Sequence, residues 1–546
     1  MKPVKNDLKC LCSVDKPIET SQNLIGDKDP IPEENIGDSI LNALKSKPNF
    51  IGQVNAETEE QITFQQMREN SVKCALWLKK VGVKKGDVVT ICTRNPSVVY
   101  IPFLASIYIG AIVNPWEEKY FRDMIRVMYF LVINEPDVIF VDRDNFTQLL
   151  LSIVILKSIK KVIKIVTIGG INISTRLNSL ETILNDDFDK AEIDQFFCEK
   201  NHMMDTAIRT FSSTARTYPG QVDVPYIAFT SPSNKQTPVM FPGAIGLWYG
   251  SLCWTHGPLL TVHAILSRVT AIKSAVLSEV NLYKTIKKYE VTWVFLESDV
   301  WNPLFLFHQI RGKNLLSKYD VSTLKTILYD NWTIHYLVHE KLISSLPDVS
   351  VIRVYSKPEI GVIAYQRDNE LTTGSAGYVA KNVQLSFINN DMEHSAPNKG
   401  FMQDAKIYCK TPYITRCKHG TEQPWCFIGD RGFYSEDGNI TVTTDTALQF
   451  IEYKGGQLYP RVIETTLQLH PAVSEVIVTA VRHPIDFLHL VAYVKTKPGA
   501  KVTATKLQQF VERLTFKLHE VRFITYDMPR LPNGKINREY FQLLNN

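Results

Sequence analysis

These 546 residues contain no CxxC pair, no basic tail, no internal repeat and no low-complexity segment. Each absence excludes something. Without paired spacings the nine cysteines offer no zinc framework and no disulfide ladder, and a reduced, cytoplasm-like compartment is expected. Cys10 and Cys12 sit too close together to bridge across a domain, and the spacing of Cys409, Cys417, His419 and Cys426 fits no zinc pattern. The formal charge of +5 is spread along the chain, so a nucleic-acid partner is not indicated. The first 35 residues lack a continuous apolar run and carry charges throughout, unlike a signal peptide. Gln236 to Ser267 has no Asp, Glu, Lys or Arg, yet Pro238, Pro242, Pro258 and four glycines cut it into pieces, which favours buried core over a membrane span.

What is present is an ordinary globular composition, 45% hydrophobic and 21% charged, on a chain long enough for two or more folded units. Thr63 to Gly82 reads as a helix, with Thr63 and Gln66 as a capping box, Phe64, Met67, Cys74, Ala75 and Leu78 as its apolar stripe, and Gly82 as its stop. Short apolar runs at Val88–Cys92, Val138–Val141, Val162–Ile168, Val291–Leu296 and Val351–Tyr355 alternate with helical-period segments. That alternation predicts α/β layers with largely parallel sheets, whose active loops lie at the carboxyl ends of strands. After Asp445 the style changes to a short helix from Pro460, two β runs at Val476–Val481 and Leu488–Val494, and a helix capped by Thr503. The expected organisation is a lead-in over 1–35, a large α/β domain over 36–444 and a small α+β domain over 445–546.

Three C-terminal motifs carry chemistry: FIGDRGFYSEDG at Phe427–Gly438, EYKGGQ at Glu452–Gln457 and LPNGKINR at Leu531–Arg538. With TFQQMRENSVKCALWLKKVGVKKGDVVTI (Thr63–Ile91) and GSAGYVAKNVQLSFI (Gly374–Ile388), they resemble the acyl-adenylate-forming enzymes, the superfamily of acid–CoA ligases, 4-coumarate–CoA ligase and firefly luciferase. The resemblance implies ATP, Mg²⁺ and CoA as cofactors and a small-molecule carboxylic acid, fatty or aromatic, as substrate. Position and charge neutralisation supply most of the rate in such chemistry. The resemblance assigns Lys535 to adenylation, Lys454 to the thioester step, Asp430 to the ribose, Tyr355 to the adenine and Glu359 to Mg²⁺. It makes Asp445 the hinge acid of a mobile small domain. It also places the aromatic segment around Trp248, Tyr249 and Trp254 as possible walls of the acyl pocket, with plain core as an equal alternative. The Leu-Leu-Asn-Asn terminus is not the peroxisomal address that many relatives carry.

Against that frame the phosphate loop is altered. The corresponding stretch, FTSPSNKQTPVMF at Phe229–Phe241, has no glycine to let backbone N–H groups close around phosphate, and Pro232 and Pro238 have no N–H at all. Thr230, Ser231, Ser233 and Lys235 remain as candidate phosphate contacts. Asp330 and Asn331 replace the paired glycines laid against adenine, Trp332 a small residue and Pro358 a threonine. Thr446 follows Asp445 where relatives keep an arginine. Each lost charged or bidentate contact costs roughly 1.5–3 kcal/mol. Two functions follow: an AMP-forming acid–CoA ligase, or a pseudoenzyme of the same fold that binds a ligand or partner without adenylation.

Overall fold

The structure, a computed structural model, describes residues 22–28, 30–31, 34–156, 161–169, 178–211, 221–230, 240–249, 251–254, 256–276, 278–297, 318–330, 342–358, 360–367, 369, 375–388, 401–413, 425–445, 451–453, 456–458, 460–468, 470–483, 487–512, 517–530 and 536–544. Strands and helices alternate as the periodicity predicts. The elements that position the site are β1 (Ile51–Asn55), α1 (Phe64–Lys80), β2 (Val88–Cys92), α2 (Tyr100–Ile109), β3 (Ile245–Trp248), α3 (His256–Ser267) and β4 (Thr270–Lys273). They continue with α4 (Glu279–Tyr289), β5 (Trp293–Glu297), β6 (Thr326–Asp330), β7 (Ser350–Lys357), β8 (Cys426–Tyr434) and β9 (Ile440–Asp445). The capping box is formed: Gln66 N donates to Thr63 Oγ1 at 3.2 Å and Thr63 N to Gln66 Oε1 at 2.8 Å.

Two sheets organise the large domain. In the first, β1, β4, β3, β5, β6 and β7 lie side by side in that order and run parallel. From β7 onward the neighbours turn antiparallel, through Gly361–Tyr365 and Ser375–Val379 to β9 and β8. The parallel block is covered on both faces, which is why its strands read as apolar runs rather than alternating ones. Leu282 and Ile286 of α4 pack on Leu247, Ile272, Val294 and Ile327. On the other face Leu260 and Ala264 of α3 pack on Trp248, Trp293 and Phe295. The described part of the charge-free stretch contains β3 and α3, and among the described residues no helix is long and apolar enough to cross a membrane.

The second sheet places β2 near its centre, parallel to Ile112–Pro115 and Val138–Asp142. Every residue of α2 is buried, and the helix stops at Gly110, whose φ of 73° is the left-handed cap that glycine adopts without a Cβ clash. The C-terminal module is α+β as expected. Val473–His483, Phe487–Thr496 and Glu520–Phe523 form a three-stranded sheet, with Ile463, Leu467, Leu507 and Val511 in a core of its own.

Candidate active site

The parallel strands deliver their last side chains to one edge of the first sheet, where ligands of open α/β sheets bind. β7 supplies Tyr355, Ser356 and Lys357 in succession, and strand alternation sends them to opposite faces. Tyr355 Oη donates to Asp430 Oδ2, and Lys357 Nζ reaches both carboxylate oxygens at 3.0 and 3.1 Å. Asp430 is completely buried in β8, and the Lys357 side chain is 7% exposed. The carboxylate that the motif assigns to a ribose is thus held by a phenol and an ammonium of the same chain. β8 and β9 also set Asp430 opposite Asp445 in the strand register. Removing either partner of the buried Lys357–Asp430 pair leaves an uncompensated charge, which costs far more than an exposed pair contributes.

On the other face, Ser356 Oγ donates to Asp330 Oδ2 at 2.6 Å. His256, the first residue of α3, places Nε2 3.1 Å from that same oxygen and 3.2 Å from Ser356 Oγ, with its ring 4.5 Å from Phe295. A serine–histidine–acid relay needs the acid on one ring nitrogen and the hydroxyl on the other. Here one nitrogen meets both, so the trio is a polar knot tying α3 to β6 and β7 and not an activated nucleophile. Asp330, expected from the sequence to stand where glycines face adenine, is the centre of that knot.

Thr230 closes the turn Tyr226–Thr230, and its hydroxyl donates to Ile227 O at 2.7 Å, an internal bond in place of a free phosphate donor. Phe229 and Pro358, from the two altered motifs, do meet. They line one cleft with Leu252, Trp254, Leu259 and Ile360, which holds about 30 Å³ of water-sized space. That is room for about two waters, so a larger ligand enters only if a wall moves. The polar groups at the cleft are Thr210, Asp223 and Tyr413. Thr210 already donates to Cys253 O, and Asp223 is paired with Arg209 at 2.7 Å. Of the expected acyl-pocket walls, Trp254 lines the cleft, whereas Trp248 stacks on Trp293 at 5.6 Å inside the core.

Ser231, Ser233, Lys235, Trp332, Glu359, Lys454 and Lys535 lie outside the described residues, so the structure does not bear on their roles. The described residues do not fit ATP in the expected way: the ribose carboxylate is internally bound, and the cleft beside Phe229 and Pro358 is apolar. No group of three His, Cys, Asp or Glu among them could hold a metal ion. The sequence reading missed Lys357, although it stands two residues after Tyr355 and so on the same strand face. It also missed His256 as a partner of Asp330, a contact that spacing alone does not reveal.

Comparison with known proteins gives consistent matches over nearly the full chain. The AMP-binding enzyme family model matches residues 42–417, and the AMP-binding enzyme C-terminal domain model matches residues 462–535. Luciferin 4-monooxygenase of Photuris pensylvanica is 22% identical, covering 93% of this chain and 95% of its own. 4-Coumarate–CoA ligase 2 of Petroselinum crispum is 23% identical, covering 89% of each. The crystal structure of the anthranilate CoA ligase AuaEII with anthranoyl-AMP superposes with a TM-score of 0.72 at 16% identity, over 95% of this chain and 98% of that one. A luciferase-like enzyme from the nonluminescent Zophobas morio mealworm gives 0.65 at 21% identity, over 78% and 100%.

Proposed function

The chain belongs to the AMP-binding enzyme family, and from that premise we propose that it is an acid–CoA-ligase-like protein that binds a small, largely apolar carboxylic acid but has lost the nucleotide half of adenylation. One observation carries the reading: the Asp430 carboxylate, fully buried, is bound on both oxygens by Lys357 and on one by Tyr355. A ribose that used this carboxylate would have to displace a desolvated ammonium and leave it unpaired, a cost of about 3–5 kcal/mol. The apolar walls of the neighbouring cleft support an apolar acid there, admitted by movement of Trp254 or Tyr413 in its lining. Thr210 and Tyr413 are the hydroxyls nearest such an acid.

The test is ATP–pyrophosphate exchange over a panel of fatty and aromatic acids, run beside acid-dependent thermal shifts. The proposal expects an acid to raise the melting temperature while exchange stays at background. Exchange above background that disappears in Lys535→Ala would overturn it. A second reading keeps catalysis: an AMP-forming acid–CoA ligase in which Lys535 serves adenylation, Lys454 the thioester step and Glu359 the Mg²⁺. Its support is that the C-terminal family model matches residues 462–535 and so ends on Lys535.

A further inference from the structure

A second buried lysine stands at the same sheet edge without a counter-ion among the described residues. Lys273 ends β4 and is 6% exposed. Its ammonium lies 3.8 Å from the centre of the Trp248 ring, and among the described residues no carboxylate, carbonyl or hydroxyl accepts from it. A ring face repays only part of what an ammonium loses on leaving water. Burial pushes the group down to about 7 from its ordinary value near 10.5.

Its neighbours are polar. Lys273 is paired in register with Asn55 at the end of β1, so both side chains leave one face of the sheet. Asn55 Nδ2 donates to Ser97 Oγ at 2.9 Å, while its own Oδ1 accepts from Glu57 N and Thr58 N. Ser97 is 5% exposed and sits in the loop that follows β2, so it comes from the carboxyl edge of the second sheet. Its oxygen is used by Asn55, but its O–H has no acceptor among the described residues. Lys273 and Asn55 thus share one face at the carboxyl edge of the first sheet, and Ser97 joins them through its bond to Asn55; among the described residues neither the ammonium nor the Ser97 O–H has an acceptor.

We propose that Lys273 and Ser97, braced by Asn55, form a binding subsite for an oxyanion, a carboxylate or a phosphate group on a small organic ligand. The ammonium contributes charge and the hydroxyl direction, and Trp248 walls the site on its strand side. The subsite is separate from the Asp430 ion pair and stands whether or not the chain makes adenylates.

Thermal-shift titrations of the full chain test it, with inorganic phosphate in one arm, acetate and adipate in another, and sodium chloride at matched ionic strength as the control. One arm is expected to stabilise saturably over chloride. A phosphate response identifies a phosphorylated ligand, and a response to acetate or adipate a carboxylated one. Lys273→Met should abolish the response and Lys273→Arg retain it, while Ser97→Ala weakens affinity by roughly fivefold. If Lys273→Met fails to fold, the Arg and Ser97→Ala variants still decide the matter. No response above chloride in either arm, or a response unchanged in Lys273→Met or in Ser97→Ala, would overturn the proposal.

Discussion

Lys357 and Lys273 each end a parallel strand of one sheet, and each is 6% exposed, yet their surroundings are opposite. Lys357 meets a fully buried carboxylate at 3.0 Å; Lys273 meets the face of an indole at 3.8 Å and, among the described residues, no acid. The difference separates a closed site from an open one. Where the chain supplies its own counter-ion, a ligand must compete with an internal ion pair whose rupture is costly. Where it supplies none, a ligand anion removes an existing penalty. The Asp430 pair is the first kind, and the buried end of β4 at Lys273 is the second.

The sharpest way to break the comparison is to remove one charge from the closed pair. Asp430→Asn leaves Lys357 buried without its partner and should lower unfolding free energy in urea by about 3–5 kcal/mol. Adding Lys357→Met should recover most of that loss, because the second change removes the orphaned charge. Equal losses in the single and double variants would show that the pair is not coupled. Next in size is Ser356→Ala, which takes a donor from Asp330 and should cost about 2 kcal/mol, since the hydrogen bond is to a charged group. His256→Gln, which keeps a donor near Asp330, should cost less than Ser356→Ala in the same denaturation experiment.

The open lysine should reveal itself through pH. Its folded value of about 7 lies below the ordinary 10.5, so between those limits the unfolded chain binds the extra proton. Stability from this group therefore rises as pH rises from 7 towards 10.5 and is flat below 7, with a slope of at most about 1.4 kcal/mol per pH unit. Lys273→Met should lack that slope. The two proteins compared at pH 7 and pH 9 should diverge, the native chain gaining relative to the variant; parallel curves would place the ammonium in water.

Much of the scaffold was legible because it rests on local rules. The capping box at Thr63 and Gln66, the stop at Gly82 and the apolar runs of the parallel strands follow from neighbouring residues and strand or helix period. The motif at Asp430 was legible as a landmark, and the loss of glycine at Phe229–Phe241 as a departure. What was not legible is who holds Asp430. Lys357 lies 73 positions away, brought in by β8 reaching β7 through three intervening antiparallel strands. His256 and Asp330 likewise meet only because α3 folds back across β5 and β6. For Trp248 and Trp254, six residues apart, the sequence leaves pocket wall and plain core equally open; Trp248 ends β3 and stacks in the core, whereas Trp254 lies past the strand end at the cleft.

Under the proposed function the Asp430 carboxylate is closed to a nucleotide from within, and calorimetric titration with ATP and with adenosine, each in the presence of Mg²⁺, tests this most directly. The closed pair predicts no saturable binding of either ligand to the native chain. Tight ATP binding that adenosine competes away, and that Asp430→Asn abolishes, would show that a ribose does reach this carboxylate and would contradict the account.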